Sequence, residues 1–260
     1  MEYSPENTPE VDDLEALVEG GDTHALKNFL TLLHPADLAI LFETLDRDHW
    51  PKVIQVLETA ELSDLMEELP DHLRDDLAAL LQPEELVDVF EEMASDDAAD
   101  VIADLPEEMA KAVLEGIAEE DRQDVETLLK YEEATAGGLM QIELVSVPES
   151  ATVERAVEII RELAEDVEEF HQVFVVIHSG VLQGTISLET LILAQPTTLV
   201  GKLADRDIYV VHPEDDQEEV ALMVKRYDLV SMGVVDHEGK LLGRILHDDI
   251  VDVFEEEADE

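Results

Sequence analysis

The first half of the chain repeats its apolar positions every 24 residues. One phase holds Leu38, Leu62, Leu86 and Ala110, and further apolar phases follow it three, four and seven residues later. This spacing marks one face of a helix. Because a unit of this size cannot bury its own apolar face, neighbouring units must stack. The pattern therefore predicts an α-solenoid of about five units over residues 10–130.

Each unit is predicted to hold two short helices. A second apolar set with the same period marks the second helix and comprises Phe29, Val53, Leu77, Val101 and Val125. Pro35 and Pro83 share one phase. We place them at helix starts, where proline's missing N–H costs nothing.

The pattern changes after Tyr131, where Gly137 and Gly138 break the helical spacing. Short apolar runs then predict strands. They are Val173–Ile177, Thr185–Ile186, Tyr209–Val211 and Gly233–Val235. Helices are predicted over Val153–Ala164 and Glu218–Tyr227, and others start at Leu188 and Asp248.

These elements form two copies of one pattern. Each copy runs helix, strand, glycine turn, small-residue strand and helix. Both copies carry a Gly-x3-Gly pair, Gly180 with Gly184 and Gly239 with Gly243. Each pair suits a tight hairpin turn followed by the start of a strand.

The segments GVLQGTISLETL (180–191) and GKLLGRILHDDI (239–250) resemble a pair of cystathionine-β-synthase (CBS) motifs. With the solenoid, YEEATAGGLM (131–140), DDQEEVALMVKRYDL (215–229) and HDDIVDVFEEEADE (247–260), nearly the whole chain resembles the cytosolic region of an MgtE-type magnesium transporter. The resemblance implies a multidomain α+β fold, in which the α-solenoid precedes a tandem CBS pair and an acidic connecting helix. The expected bounds are 10–130 for the helical domain, 138–200 and 201–254 for the CBS motifs, and 248–260 for the start of the connecting helix.

The charge of the chain is extreme. Lys+Arg number 15 against 67 Asp+Glu, which gives a formal net charge of −52. Such a charge opposes compaction through self-repulsion and favours cations as partners. It argues against nucleic acid, whose phosphates need basic contacts. A salt-loving host with generally acidic proteins would also explain part of the excess.

Many CBS pairs bind adenosine phosphates, and the resemblance implies that they use a hydroxyl followed three residues later by Asp. Copy one has Ser187 but Thr190 at the acid position. Copy two has Asp249 but Leu246 at the hydroxyl position. Neither copy is complete, so Ser187, Thr190 and Asp249 are only weak nucleotide candidates, and the sequence favours no nucleotide cofactor.

Magnesium fits the acids better. Mg²⁺ prefers oxygen ligands and keeps several waters, so a site needs only one or two carboxylates from each of two surfaces. The resemblance places regulatory Mg²⁺ between the domains and beside the connecting helix, with Ca²⁺ or Mn²⁺ as substitutes. The matching positions are Asp64, Asp96, Asp100, Gly138, Asp216, Glu218, Asp228, Asp249, Asp252, Glu257 and Glu260. At Asp64 the family has the longer Glu.

We expect no enzyme and no zinc site. The chain has no Cys, which excludes thiolate sites. No Ser-His-Asp arrangement or phosphate loop is visible. The histidines are scattered without paired spacing, among them His34, His72, His171, His178, His212, His237 and His247. No signal peptide is visible, and no run approaches the roughly 18 apolar residues of a membrane span.

These observations predict a Mg²⁺-sensing regulatory region on the cytoplasmic side of the cell membrane. Mg²⁺ between acidic faces would compact a homodimer formed through the CBS pair and close the pore. The resemblance implies a transmembrane pore domain C-terminal to Glu260, so we favour a portion of a longer transporter over a standalone homologue. The rival hypothesis is a standalone CBS-pair regulator that binds adenine nucleotide or a protein partner.

Overall fold

The computed structural model describes residues 11–163, 167 and 170–259, without the side chains of Asp71 and residues 255–259. It divides into two compact units, residues 1–123 and 124–260, and the division falls inside helix α10. The helices of the first half are α1 (Val11–Gly20), α2 (Thr23–Leu30), α3 (Pro35–Thr44), α4 (Trp50–Ile54), α5 (Thr59–Glu67), α6 (Asp71–Ala78), α7 (Pro83–Phe90), α8 (Ser95–Asp104), α9 (Glu107–Gly116) and α10 (Glu119–Leu128).

The helix starts reproduce the predicted period. α1, α3, α5, α7 and α9 begin at residues 11, 35, 59, 83 and 107, in steps of 24. α3 packs on α5, α5 on α7 and α7 on α9. Each unit does contain two helices, although the second helix of the second unit is split into a 3-10 turn over Arg47–His49 and the short α4.

Side-chain caps recur at the equivalent helix starts, although their chemistry differs. His34 Nδ1 accepts from the backbone N–H of Ala36, which caps α3. One period later, Glu61 accepts from the N–H of Glu58, and one period further Glu85 accepts from Gln82 at 2.8 Å. Such capping boxes satisfy N–H groups that a helix start leaves unpaired. Pro35 and Pro83 open α3 and α7 as predicted.

The residues of the predicted apolar phases form the core of the helical half of the chain. Phe42, Leu65, Met66 and Leu86 are fully buried, as is Trp50. Burying a side chain of this size contributes roughly 1.5–3 kcal/mol. The core therefore runs along the stack, between consecutive repeats.

The second unit contains two three-stranded sheets. Its elements are β1 (Ser146–Pro148), α11 (Val153–Leu163), β2 (Gln172–Val176), β3 (Leu182–Ser187), α12 (Leu188–Leu193), β4 (Val210–Val211), α13 (Gln217–Tyr227), β5 (Ser231–Val235), β6 (Leu241–Leu246) and α14 (His247–Asp259). β1 is parallel to β2, and β2 is antiparallel to β3. β4, β5 and β6 repeat this arrangement.

The two copies face each other at equivalent positions. The backbone N–H of Leu182 donates to Gly239 O, and that of Leu241 donates to Gly180 O. Gly180 and Gly239 have positive φ of 83° and 78°, a conformation that glycine adopts without strain. The two hairpin turns therefore pair with each other, as a duplicated motif with pseudo-twofold symmetry requires.

Gly184 and Gly243 lie inside β3 and β6 and not at their starts. In each case a neighbouring segment pairs with the next residue, Asp205 with Thr185 and Gln141 with Arg244, through two backbone bonds of 2.8–2.9 Å. A Cβ on either glycine would meet the carbonyl oxygen of that segment. The second glycine of each pair therefore permits close backbone approach.

Among the described residues 11–163, 167 and 170–259, no helix is long and apolar enough to cross a bilayer.

Candidate functional site

The segment around Gly138 is bonded to the loop that precedes α13. The backbone N–H groups of Ala136 and Gly137 donate to the carbonyls of Asp215 and Pro213, at 2.8 and 2.9 Å. A Cβ on Gly138 would clash with the carbonyl of Glu133, so only glycine fits this fold of the chain. Gly138 can therefore offer a cation only its backbone oxygen, which is the kind of ligand that Mg²⁺ and Ca²⁺ accept.

Asp216 caps α13. Its Oδ1 accepts from the N–H groups of Glu218 and Glu219, at 3.0 and 3.4 Å. Asp216 and Glu218 are exposed at the positive end of the helix dipole, where acids are favourable. The structure therefore brings Asp216 and Glu218 together near the Gly138 segment, and it gives Asp216 a structural role besides any ligand role.

Asp228 ends α13 in a left-handed conformation, with φ 53° and ψ 49°. The N–H groups of Asp228 and Leu229 both donate to Val224 O. Glycine is the usual residue in this position, and an acid at a helix C-terminus opposes the helix dipole. Lys225 and Arg226 in the last turn offset part of that cost. Aspartate tolerates the left-handed conformation better than most residues, but the helix electrostatics disfavour it here.

Asp248, Asp249 and Asp252 lie in the first two turns of α14, and further acids follow in its second half. Asp249 Oδ2 accepts from the backbone N–H of Leu246 at 2.8 Å. Ile250 and Val253 are buried, and α14 packs on α13, where Lys225 Nζ lies 4.4 Å from the ring centroid of Phe254. Asp252 is exposed. Glu257 lies on the helical backbone, but its side chain is outside the described residues, as is the whole of Glu260.

In the solenoid unit, the predicted ligands lie on two helices. Asp96 and Asp100 follow each other by one turn on α8, and Asp96 is only 6% exposed. Asp64 is exposed on α5. Partial desolvation raises the pKa of the Asp64 carboxyl, Glu61 adds repulsion, and His34 acts in the opposite direction. A bound cation would relieve the first two effects.

The structure thus brings Asp96 near Asp100, and Asp216 near Glu218. Among the residues that the structure describes, no group of three or more His, Asp or Glu side chains is arranged to hold a metal. The acids of each unit therefore form only part of the ligand set of a cation.

The weak nucleotide candidates form a helix cap in copy one. Ser187 Oγ accepts from the N–H of Thr190 at 3.1 Å, and the two hydroxyl oxygens are 2.9 Å apart. In copy two, Asp249 performs the related task for Leu246. Both positions thus stabilise the starts of α12 and α14.

Sequence reasoning missed Arg244, which is 4% exposed and pairs through its backbone with Gln141. A buried positively charged side chain stands out in a chain of net charge −52, and it lies in the second copy. Its only sequence signal is its place directly after the second glycine of the Gly-x3-Gly pair.

The fold defines a two-part module: a helical-repeat domain followed by a pair of βαββα motifs. The sequence profile of the MgtE intracellular N domain matches residues 33–134, and that of the CBS domain matches residues 136–196 and 200–256. The chain belongs to the MgtE family of magnesium transporters. The predicted fold of a helical domain followed by a CBS pair is confirmed.

Two solved structures match nearly the whole chain. The cytosolic domain of the Mg²⁺ channel MgtE in complex with ATP is 34% identical, with a TM-score of 0.87, over 94% of this chain and 100% of that one. The soluble part of a magnesium transporter is 28% identical, with a TM-score of 0.83, over 96% of this chain and 100% of that one.

Curated relatives match about half of this chain. The magnesium transporter MgtE of Thermus thermophilus is 43% identical over 135 residues, which are 52% of this chain and 30% of that protein. The MgtE of Enterococcus faecalis is 38% identical over 131 residues, 50% of this chain and 29% of that protein. The matched segment therefore spans less than a third of either relative.

Proposed function

We propose that this chain is the Mg²⁺-sensing cytosolic regulatory region of a magnesium transporter or channel. Mg²⁺ binds between acidic faces of the solenoid, the CBS pair and the terminal helix. Binding compacts a homodimer and closes the pore, which is negative feedback on transport. The region has no catalytic role in this proposal, and it lies on the cytoplasmic side of the membrane.

One observation carries the proposal. The family-matched acids occur on both units, Asp96 and Asp100 on the solenoid and Asp216, Asp249 and others on the CBS pair, and the described residues hold no group of three suitable ligands. A cation held by acids from both surfaces would link the units. Without it, two carboxylates about 5 Å apart repel by roughly 3 kcal/mol at an effective dielectric near 20.

This chemistry produces a switch. A ligand shifts a two-state equilibrium only by its differential affinity for the two states. A site that binds at millimolar concentration supplies about 4 kcal/mol. Several linked sites that bind the compact form better then give a steep response. Ca²⁺ or Mn²⁺ can replace Mg²⁺, because the ligands are oxygens.

Small-angle scattering tests the switch. Mg²⁺ at constant ionic strength should reduce the radius of gyration, whereas monovalent salt matched for screening should not. The paired variant Asp96→Ala, Asp249→Ala should lose much of the Mg²⁺ response. The exposed Glu108→Gln on α9, which also removes charge but lies outside the predicted set, should keep it. Full substitution of KCl for Mg²⁺ would instead support a non-specific, halophilic acid excess.

The homodimer is proposed to form through the CBS pair. Ile192 and Leu193 at the end of α12 are 80% and 77% exposed, which is unusual for two adjacent large apolar residues. A second copy would cover them. Light scattering on the double variant Ile192→Ser, Leu193→Ser should show monomer where the parent shows dimer; an unchanged mass would place the interface elsewhere.

Pore closure is tested in a transporter that carries this region. Reconstituted in vesicles, it should conduct Mg²⁺ less as Mg²⁺ rises on the side that faces the region. Asp96→Ala and Asp249→Ala should shift that inhibition to higher Mg²⁺. Equal inhibition in parent and variants would remove these acids from the mechanism.

A second candidate is regulation by adenine nucleotide. A relative with 34% identity was solved in complex with ATP. In this chain Ser187 occupies the expected hydroxyl position, whereas Thr190 stands where the acid is expected, and the two hydroxyl oxygens are in contact. Small-angle scattering with ATP, alone and with Mg²⁺, separates the two candidates: compaction by ATP but not by Mg²⁺ favours the nucleotide regulator.

A further inference from the structure

Two histidines that are far apart in sequence come together in the second CBS motif. His212 follows β4, and His237 lies in the turn between β5 and β6. Their ring centroids are 5.0 Å apart, with 44° between the ring planes. The predicted magnesium ligands do not include either residue. Sequence spacing gave no sign of the pair, because the β5–β6 hairpin creates it.

The His212 ring has a fixed orientation. Its Nδ1 lies 2.9 Å from the carbonyl oxygen of Val235, which can only accept, so Nδ1 carries the hydrogen. In the neutral ring the lone pair is then on Nε2. Histidines that bind metals commonly donate their other ring N–H to a carbonyl or a carboxylate in this way. The bond to Val235 therefore prepares His212 for coordination through Nε2.

The loop that carries His212 is held by its own bonds. The N–H of His212 donates to Asp215 Oδ2 at 2.7 Å, and the N–H of Asp215 donates to the carbonyl of His212 at 2.9 Å. The turn around His237 is held in a similar way. Asp236 Oδ1 accepts from the N–H groups of Glu238 and Lys240, at 2.9 and 2.8 Å. The backbone that carries each imidazole is thus held in place by hydrogen bonds.

The spacing of the two rings fits a shared ion. With Zn–N bonds of about 2.0–2.1 Å, two imidazoles bound at a tetrahedral angle place their ring centroids about 5 Å apart. Glu214, two residues after His212, and Glu238, directly after His237, are exposed and add negative charge to these segments. We propose that His212 and His237 bind one divalent transition-metal ion of the Zn²⁺, Ni²⁺ or Co²⁺ class.

Water completes the coordination. In the described part of the chain, no three His, Asp or Glu side chains form a metal-holding group, so the protein supplies two donors. Imidazole suits Zn²⁺, Ni²⁺ and Cu²⁺, whereas Mg²⁺ prefers oxygen ligands. The site therefore does not rest on the proposed magnesium function, and the two metal classes can be titrated separately.

The test is calorimetric titration of tag-free protein with ZnCl₂ in saturating Mg²⁺, which occupies the carboxylate sites. The parent should bind one Zn²⁺ per chain. His237→Gln, at an exposed position that leaves the His212–Val235 bond in place, should weaken this binding by roughly 10–100-fold or more. His72→Gln, an exposed histidine on α6, is the matched control and should bind as the parent does.

Cobalt gives a second readout. Co²⁺ bound by imidazole changes its visible absorption, and this change should occur in the parent and in His72→Gln but not in His237→Gln or His212→Gln. Circular dichroism checks the fold of each variant. Absence of Zn²⁺ binding in the parent, or binding that is unchanged in His237→Gln, would show that the two rings are only a packing pair.

Discussion

The carboxylate of Asp249 accepts a hydrogen bond from the backbone N–H of Leu246, with 2.8 Å between Oδ2 and N. A predicted magnesium ligand thus also stabilises the start of α14. A similar double role applies to Asp216, whose Oδ1 caps α13. Substitutions at these positions change both helix stability and any cation site, so the two effects must be measured apart.

Asp249 allows that separation. In EDTA, Asp249→Ala should lower the free energy of unfolding by about 1 kcal/mol, because the bond to Leu246 is lost. Asp249→Asn keeps an oxygen acceptor and should lose less. If Asp249 is a ligand, both variants should lose a similar share of the rise in Tm that Mg²⁺ causes. Urea unfolding in EDTA and thermal unfolding in Mg²⁺ measure the two quantities; a full Mg²⁺ response in Asp249→Ala would exclude the ligand role.

At Asp228, unlike at Asp249, the backbone conformation favours a different residue. Its φ of 53° suits glycine, so Asp228→Gly in EDTA should leave stability unchanged or raise it by up to about 1 kcal/mol. Asp228→Ala should lower it by about 1 kcal/mol, because alanine is strained at positive φ. Chemical unfolding compares the two. Stabilisation in EDTA together with a weaker Mg²⁺ response in Asp228→Gly would identify an aspartate kept for binding.

Gly243 tests the close backbone approach in copy two. A Cβ there would lie 2.7 Å from Gln141 O and 3.0 Å from Met140 Sδ. Gly243→Ala should therefore lower the free energy of unfolding by about 1–3 kcal/mol. Gly20→Ala is the control, because nothing lies within 4 Å of its added Cβ at the end of α1. Equal unfolding midpoints for the two variants would contradict the packing argument.

The raised pKa of Asp64 predicts a pH dependence. Because the folded protein holds this proton more tightly than the unfolded chain, Asp64 favours folding below its ordinary pKa of 3.8 and loses that contribution as pH rises through the raised value. In EDTA at neutral pH, Asp64→Asn should therefore be more stable than the parent.

The difference between parent and Asp64→Asn should shrink as pH falls. Thermal unfolding of both proteins across the acid range measures it, and their difference removes the titration of the other carboxylates. Glu61, which contributes to the shift, provides a check: Glu61→Gln should reduce the gap. If the difference in stability between the parent and Asp64→Asn did not change with pH, the pKa of Asp64 would not be raised.

Much of the fold could be predicted because it depends on local periodicity. The apolar phases of Leu38 and Leu62 place the solenoid helices, and Pro35 and Pro83 mark two of their starts. β1 was missed, since three residues carry too little pattern to show alternation. The split of the second unit's second helix was also missed, although Pro51 lies at the start of α4.

The candidate site was less accessible to sequence reasoning. The acids could be identified by their match to the family. The bonds that Asp216 and Asp249 make to nearby backbone N–H groups could not be predicted in this way. Gly184 and Gly243 were assigned to strand starts, because the segments that approach them, at Asp205 and Gln141, come from elsewhere in the chain. Long-range pairing of this kind leaves no short-range signature. The predicted roles of the acids in cation binding remain predictions.

The regular 24-residue step of α1, α3, α5, α7 and α9 also bears on how this domain can evolve. Among the described helices, consecutive odd-numbered ones pack on each other, as α3 does on α5. In a repeat stack of this kind, one whole repeat can be deleted or duplicated while the remaining repeats keep equivalent packing partners. The length of the helical domain can therefore change in whole multiples of 24 residues. A lineage could gain or lose one such multiple while the sequences of the other repeats stay unaltered.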